Sequence, residues 1–233
     1  MQHLVISAIE NVPVISPNDN IGQILIAAIK ESHVLLHDND ILSVASKVVS
    51  IAENRYIDLN TVKVSQEALL LHNKFRRKKP EVLQLILEAA GGDSSNLRLN
   101  DGWIGAKNHI GRVLTSAGID KATEDSVLLL PSNPDASARN IGDAIFKEFG
   151  LHVGVLITDS DGREGIAGAT QLCVGLYGVP PIRKQYDSEE TVCDMLAAAC
   201  GLIMGQRGNN IPAVLVSGFQ YIFDVNAKLT DAF

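Results

Sequence analysis

Apolar residues recur along this chain with two periods, and the switches between them mark out its elements. Ile21, Ile24, Leu25, Ala28 and Ile29 share one face of a helix, with Asp19 or Asn20 placed to cap it. Ser65 predicts the cap of a short helix through Leu71. Pro80 opens another over PEVLQLILEAA, and Gly91-Gly92 ends it. Asn133-Pro134 starts a helix that carries Ala138, Ile141, Ile145 and Phe149 on one side and stops at Gly150. Residues 187–190 read as a capping box for a last helix bearing Val192, Met195, Leu196, Ala199, Leu202 and Ile203.

Short apolar runs predict strands over residues 3–9, 40–45, 126–130, 151–158 and 213–217. Residues 96–115 predict two or three more, separated by Asn100-Asp101-Gly102 and by a turn over 108–111. Helices and strands mix without strict alternation, so the expected class is α/β of the mixed α+β kind. One domain is expected over residues 1–233, with a smaller lobe around 90–125 and no linker.

Composition narrows the function classes. The chain has 233 residues, 46% of them hydrophobic and 20% charged, as in ordinary soluble globular proteins. A formal net charge of −7 argues against a nucleic-acid partner, which calls for a basic footprint. An anionic small molecule can still bind where local cations or a metal outweigh the global sign. Cys173, Cys193 and Cys200 form no CxxC pair and read as reduced core thiols. The first residues lack a basic n-region and no window approaches a membrane span, so the expected location is cytoplasmic, with no membrane partner.

Walker A, GxGxxG, GxSxG and HExxH patterns are all missing. His33 and His37, four residues apart, could face a metal from one helix side, but a solvated pair near a helix end is the preferred reading. The run Phe75-Arg76-Arg77-Lys78-Lys79-Pro80 reads as a solvated loop between helices, or as a rim that attracts anions. Other stretches place polar groups at turns and strand ends, where sheet proteins collect ligands. A hydroxyl and an ammonium follow a strand in Ala45-Ser46-Lys47-Val48-Val49-Ser50. A carboxylate follows a glycine turn in Ser116-Ala117-Gly118-Ile119-Asp120. A buried-type strand runs out into Thr158-Asp159-Ser160-Asp161-Gly162-Arg163. Carboxylate and hydroxyl oxygens are hard ligands suited to Mg²⁺ or Mn²⁺, and Gly205-Gln206-Arg207-Gly208-Asn209 adds a guanidinium on a glycine-bearing loop. Together they point to a metal–nucleotide site.

The order SKVVSIAENR, SAGID, LLLPSNPDASARNI, GVLITDSDGR, LIMGQRGNNIPAVLVSG resembles the coenzyme F420:L-glutamate ligase family, and so does the opening VPVISPNDNIGQILIAAI. The likeness covers residues 12–218. It implies that family's two-lobed α/β fold, a homodimer, and ligation of L-glutamate to a coenzyme F420 precursor through a γ-glutamyl bond, with GTP and Mg²⁺ or Mn²⁺. By position it implies Asp120, Asp159, Ser160 and Gln206 as metal contacts, with Asp120, Asp159 and Lys47 in catalysis. The nucleotide would lie against Pro13, Val14, Ile15, Ser16, Ser46, Lys47, Ser50, Met204, Gly205, Gln206, Arg207, Gly208, Asn209, Asn210 and Ile211. Arg163, Arg183 and Lys184 are the cations that would meet an anionic acceptor.

Departures from the family pattern keep alternatives open. Glu164-Gly165-Ile166 stands where a proline, an aromatic and a second arginine are usual; Ile51 replaces a lysine and Ser116 an asparagine. The stretch between Gly178 and Met204 is shorter than the family's. The same chemistry on another carboxylate such as a folate, and a nucleotide- or metal-binding homologue without catalysis, are the alternative readings.

Overall fold

The structure, a computed structural model, describes residues 3–100, 102–205 and 209–233. The chain forms two compact units. One takes the residues up to Asn54, Pro131–Ser160 and those from Ala169 onward; the other takes Arg55–Leu130 and Asp161–Gly168.

The first unit is built on a five-stranded sheet in the order Val5–Ala8, Ala213–Ser217, Ile41–Ala45, Gly154–Arg163, Ile166–Tyr177. Ala213–Ser217 runs antiparallel to both its neighbours. Ile41–Ala45 runs parallel to Gly154–Arg163, with Ile41 opposite Gly154 and Ala45 opposite Thr158. Ile41, Leu42, Val44, Val155, Leu156 and Ile157 are fully buried, as expected for strands covered on both faces. The helices begin where local chemistry places them. Asn20 Oδ1 accepts from Gln23 N to cap Ile21–Glu31, and Asn133 Oδ1 accepts from Ala136 N to cap Pro134–Phe149. Gly150, at φ 71°, closes the second of these in the left-handed conformation. All three cysteines are buried, and none is in a disulfide.

Three sequence expectations are corrected. The strand expected over 151–158 starts at Gly154 and continues through Arg163, because the 12-residue strand Ile166–Tyr177 pairs with it. Asp and Gly are poor strand formers, so the pattern alone stops at the first carboxylate. Residues 187–190 make no capping box: Ser188–Glu190 pairs with Arg183–Gln185, and Val192–Met204 starts after Thr191 without a side-chain cap. His33 and His37 do not share a helix face, since their helix ends at Glu31 and His33 has φ 55°.

Asp135, in the first turn of Pro134–Phe149, links three segments by accepting from Leu176 N at 2.7 Å and Leu229 N at 3.1 Å. Burial is the main cause that raises its pKa above the ordinary 3.8; the two N–H donors and Lys228 pull it down, while Asp231 pushes it up. An acid whose pKa is higher folded than unfolded stabilises fully below the unfolded value and loses that share as pH rises through the folded one. Asp135→Asn should therefore have its largest stability deficit near pH 4, shrinking toward pH 7. Urea unfolding across that range checks it, and a deficit that grows with pH would contradict the assignment.

The second unit holds two three-stranded sheets, Tyr56–Asp58, Ser126–Leu128, Asp120–Lys121 and Leu97–Asn100, Trp103–Lys107, Val113–Thr115. Helices Gln66–Lys74 and Pro80–Ala89 pack with them through Ala68, Leu71, Leu83, Ile86, Ile104 and Ala117. Ser65 caps the first helix through Ala68 N, and Pro80 starts the second. This unit reaches back to Arg55, well before the turn-rich stretch around 90–125. Among the described residues, no helix is long and apolar enough to cross a membrane.

Candidate functional site

Parallel pairing puts the carboxyl end of Ile41–Ala45 beside Thr158, midway along Gly154–Arg163, within the first unit. Ala45 lies opposite Thr158, so the next residues on each chain, Ser46 and Asp159, are neighbours. Ser46 is buried, and its Oγ donates to Asp159 Oδ1 at 2.7 Å. This hydrogen bond fixes one oxygen of a half-buried carboxylate. Lys47, next in the helix Ser46–Ala52, is exposed, and Ser50 is buried one turn on.

Two further segments meet this sheet end, and a third is tied to the far end of the helix that starts there. Met204 ends its helix with Sδ at 3.9 Å from Thr158 Oγ1 and 4.0 Å from Ser43 Oγ. Pro212 O accepts from Ala45 N at 2.8 Å, so both ends of the intervening loop are anchored at the same strand pair. Within that loop Gly205 has φ 66° and Asn209 Nδ2 donates to Ile203 O. Gln206, Arg207 and Gly208 lie outside the described residues. The segment carrying Pro13 to Ser16 is fastened on the other side: Asn18 N donates to Ala52 O at 2.8 Å, and Ser16 N donates to Asp19 Oδ2. Pro13 and Val14 are exposed, while Ile15 is buried. Asn210 has φ 52° and Ile211 is half-buried. The first unit thus gathers Ser46, Asp159 and Met204, with the 13–16 segment tied to the end of the helix that carries Ser50.

Adjacent strand residues point to opposite faces, which separates the Ser160 hydroxyl from the Asp159 carboxylate. Asp161, buried, accepts from Thr115 N at 2.7 Å, and desolvation is the main cause that raises its pKa. It is thereby committed to holding Val113–Thr115. Gln171, on the adjoining strand, buries its Oε1 without a hydrogen-bond partner among the described residues, a feature that no sequence signal marks.

In the second unit Asp120, half-buried, opens a short strand opposite Leu128. Ser116, Ala117 and Gly118 just before it all have positive φ, at 53°, 59° and 76°. Ser116 Oγ accepts from Lys78 Nζ at 2.7 Å. Sequence reading placed Lys78 in a basic run without separating it from its neighbours; the structure half-buries it, while Lys79 pairs with Glu124 at 3.2 Å. Arg163 is exposed. Arg183 and Lys184 stand on an exposed hairpin, with Arg183 Nε donating to Glu190 at 2.8 Å and Lys184 3.4 Å from Glu189. Exposed pairs of this kind contribute on the order of 0–1 kcal/mol.

Among the described residues no three His, Cys, Asp or Glu side chains cluster as a metal site. A carboxylate oriented by a hydroxyl is nevertheless hard-oxygen chemistry of the kind that Mg²⁺ or Mn²⁺ takes together with phosphate oxygens.

A polar cluster where a parallel strand pair ends, with Met204 and Pro212 anchored beside it, is the kind of place where α/β proteins collect ligands. The chain belongs to the F420-0:gamma-glutamyl ligase family, whose model matches residues 10–218. A coenzyme F420:L-glutamate ligase of Methanothermobacter thermautotrophicus is 33% identical over 91% of this chain and 88% of its own length. That of Archaeoglobus fulgidus is 34% identical over 90% and 86%, and that of Methanosarcina mazei 28% over 97% and 90%.

Proposed function

We propose that this chain joins L-glutamate to the carboxylate of a coenzyme F420 precursor, forming γ-glutamyl-type linkages with GTP as the activating nucleotide and Mg²⁺ or Mn²⁺. The observation that carries this reading is the Ser46–Asp159 hydrogen bond at the carboxyl end of the parallel pair, in a chain of this family. A carboxylate does not acylate an amine unaided. In the proposed sequence its oxygen takes the γ-phosphoryl group of GTP and GDP leaves. The glutamate amine then attacks the acyl carbon, inorganic phosphate leaves, and the nitrogen gives up a proton. Positioning is the main catalytic contribution in such transfers.

The cation, when bound, offsets the charge of the phosphate oxygens and acts as a Lewis acid. Asp159 and Asp120 are its proposed carboxylate ligands, and Gln206 is proposed as a further one. Ser160, whose hydroxyl stands in for the family's threonine, is proposed as a further contact. Ser46 holds the Asp159 carboxylate in one orientation. Lys47, Ser50, the 13–16 segment and the 204–211 loop form the proposed nucleotide surround. The working form is proposed to be a cytoplasmic homodimer.

A second reading, the same chemistry on a different carboxylate, is favoured by one observation: Arg183 and Lys184, two of the three cations expected to meet the acceptor, face Glu190 and Glu189 instead. One assay tests both. Phosphate release is measured with GTP, Mn²⁺ and L-glutamate against a panel of acceptors. Release that requires glutamate and the F420 precursor together is the expected result. Release with a folate alone selects the second reading, and no release with any acceptor overturns both.

A further inference from the structure

The turn before Asp120 is held in a conformation its residues do not choose for themselves. Ser116 and Ala117 are not glycines, yet with Gly118 they form a left-handed run at φ 53°, 59° and 76°. Such backbone persists only where its surroundings over-determine it, and it gathers where a functional group must be aimed. The restraints here come from several directions. Ala117 is buried in the helix-and-sheet core, Asn108 Nδ2 reaches Ala117 O at 3.4 Å, and Ile119 N closes on Ser116 O at 3.0 Å. Lys78 Nζ donates to Ser116 Oγ at 2.7 Å.

The lysine is the restraint that packing does not account for. Its backbone is already fixed, with Lys78 N donating to Phe75 O and Lys78 O 2.9 Å from His72 Nδ1. Its ammonium is half-buried against a neutral hydroxyl, and desolvation lowers its pKa. An apolar side chain would fill the same space without the cost of withdrawing a charge from water. What the ammonium adds is a directional hold on the first residue of the strained run, four positions before Asp120.

We propose that Lys78 is a positioning residue for Asp120, acting through Ser116 to keep the left-handed turn in the one conformation that aims the Asp120 carboxylate at its divalent cation. This rests on the reading of Asp120 as a metal ligand. Loss of the hold lets the turn relax and the carboxylate spread over other directions, while the core beneath it stays packed.

The test titrates Mn²⁺ into the whole chain and follows the free ion by electron paramagnetic resonance. Residues that orient a ligand are worth about 10–100-fold in metal affinity, and Lys78→Met is expected to weaken Mn²⁺ binding by that factor. Ser116→Ala should match it, the double variant should lose no more than either single one, and Lys78→Arg should recover most of the affinity. Asp120→Asn serves as the reference for the underlying reading. If Asp120→Asn binds Mn²⁺ normally, that reading falls and the proposal with it. If Asp120→Asn loses binding but Lys78→Met does not, or loses only thermal stability, Lys78 is structural and the proposal alone is overturned. Should Lys78→Met fail to fold, Ser116→Ala and Lys78→Arg carry the same comparison.

Discussion

Asp159→Asn is expected to lower ligase turnover by about 10²–10³-fold while leaving the fold nearly as stable, a loss of the size seen when one aimed electrostatic group is removed from a reacting centre. Asparagine keeps an oxygen that can accept from the Ser46 hydroxyl, now 2.7 Å from Asp159 Oδ1, so the junction of the two parallel strands survives. What goes is the negative charge, and with it the hard ligand proposed for a divalent cation. Ser46→Ala acts one step further out: the carboxylate remains but loses its orienting donor, and a fall of roughly 10–100-fold is expected. Steady-state phosphate release gives the rates and urea unfolding the stabilities. An Asp159→Asn enzyme within tenfold of wild type would remove Asp159 from the mechanism. A variant that is inactive because it unfolds would make Asp159 a structural residue.

The second large effect is on stability. Gly118→Ala is expected to cost about 2–5 kcal/mol, the sum of a left-handed alanine and an overpacked core contact. Gly118 has φ 76°, and a Cβ built there would stand 2.7 Å from Leu130 Cδ1 and 2.9 Å from its Cγ. Gly92 provides the comparison within the same unit. It has φ 80° with nothing within 4 Å of the added carbon, so Gly92→Ala should lose only about 1–2 kcal/mol. Urea midpoints of both variants separate the backbone cost from the steric one. Equal losses would mean that Leu130 moves aside freely and that the turn is not clamped from that side.

The restraint from Leu130, like that from Lys78, joins residues far apart in sequence, and this limits what the sequence could disclose. The helix starts at Asp19 or Asn20, Ser65, Pro80 and Asn133 and the stop at Gly150 were legible because each is settled within four residues by a cap, a missing N–H or a left-handed glycine. The strand Ala213–Ser217 was legible because an unbroken apolar run admits few other uses. Asp159 and Ser46 could be singled out as groups at strand ends, and the family resemblance gave them roles. That they touch could not be read, since it depends on the parallel register that sets Ala45 against Thr158.

By itself, then, the sequence determined the local elements, the mixed α/β class and the family, because short-range sterics, capping and apolar periodicity are written in neighbouring residues. Tertiary structure decided the rest. Pairing with Ile166–Tyr177 carried a strand through carboxylates and glycine that disfavour it, and cross-strand partners made a hairpin of the apparent capping box. Packing drew one lysine out of a basic run onto a left-handed turn. Cross-strand partners only a few residues away fix the first two outcomes and a contact 38 residues away fixes the third; in each, the pairing outweighs the local preferences of the residues involved.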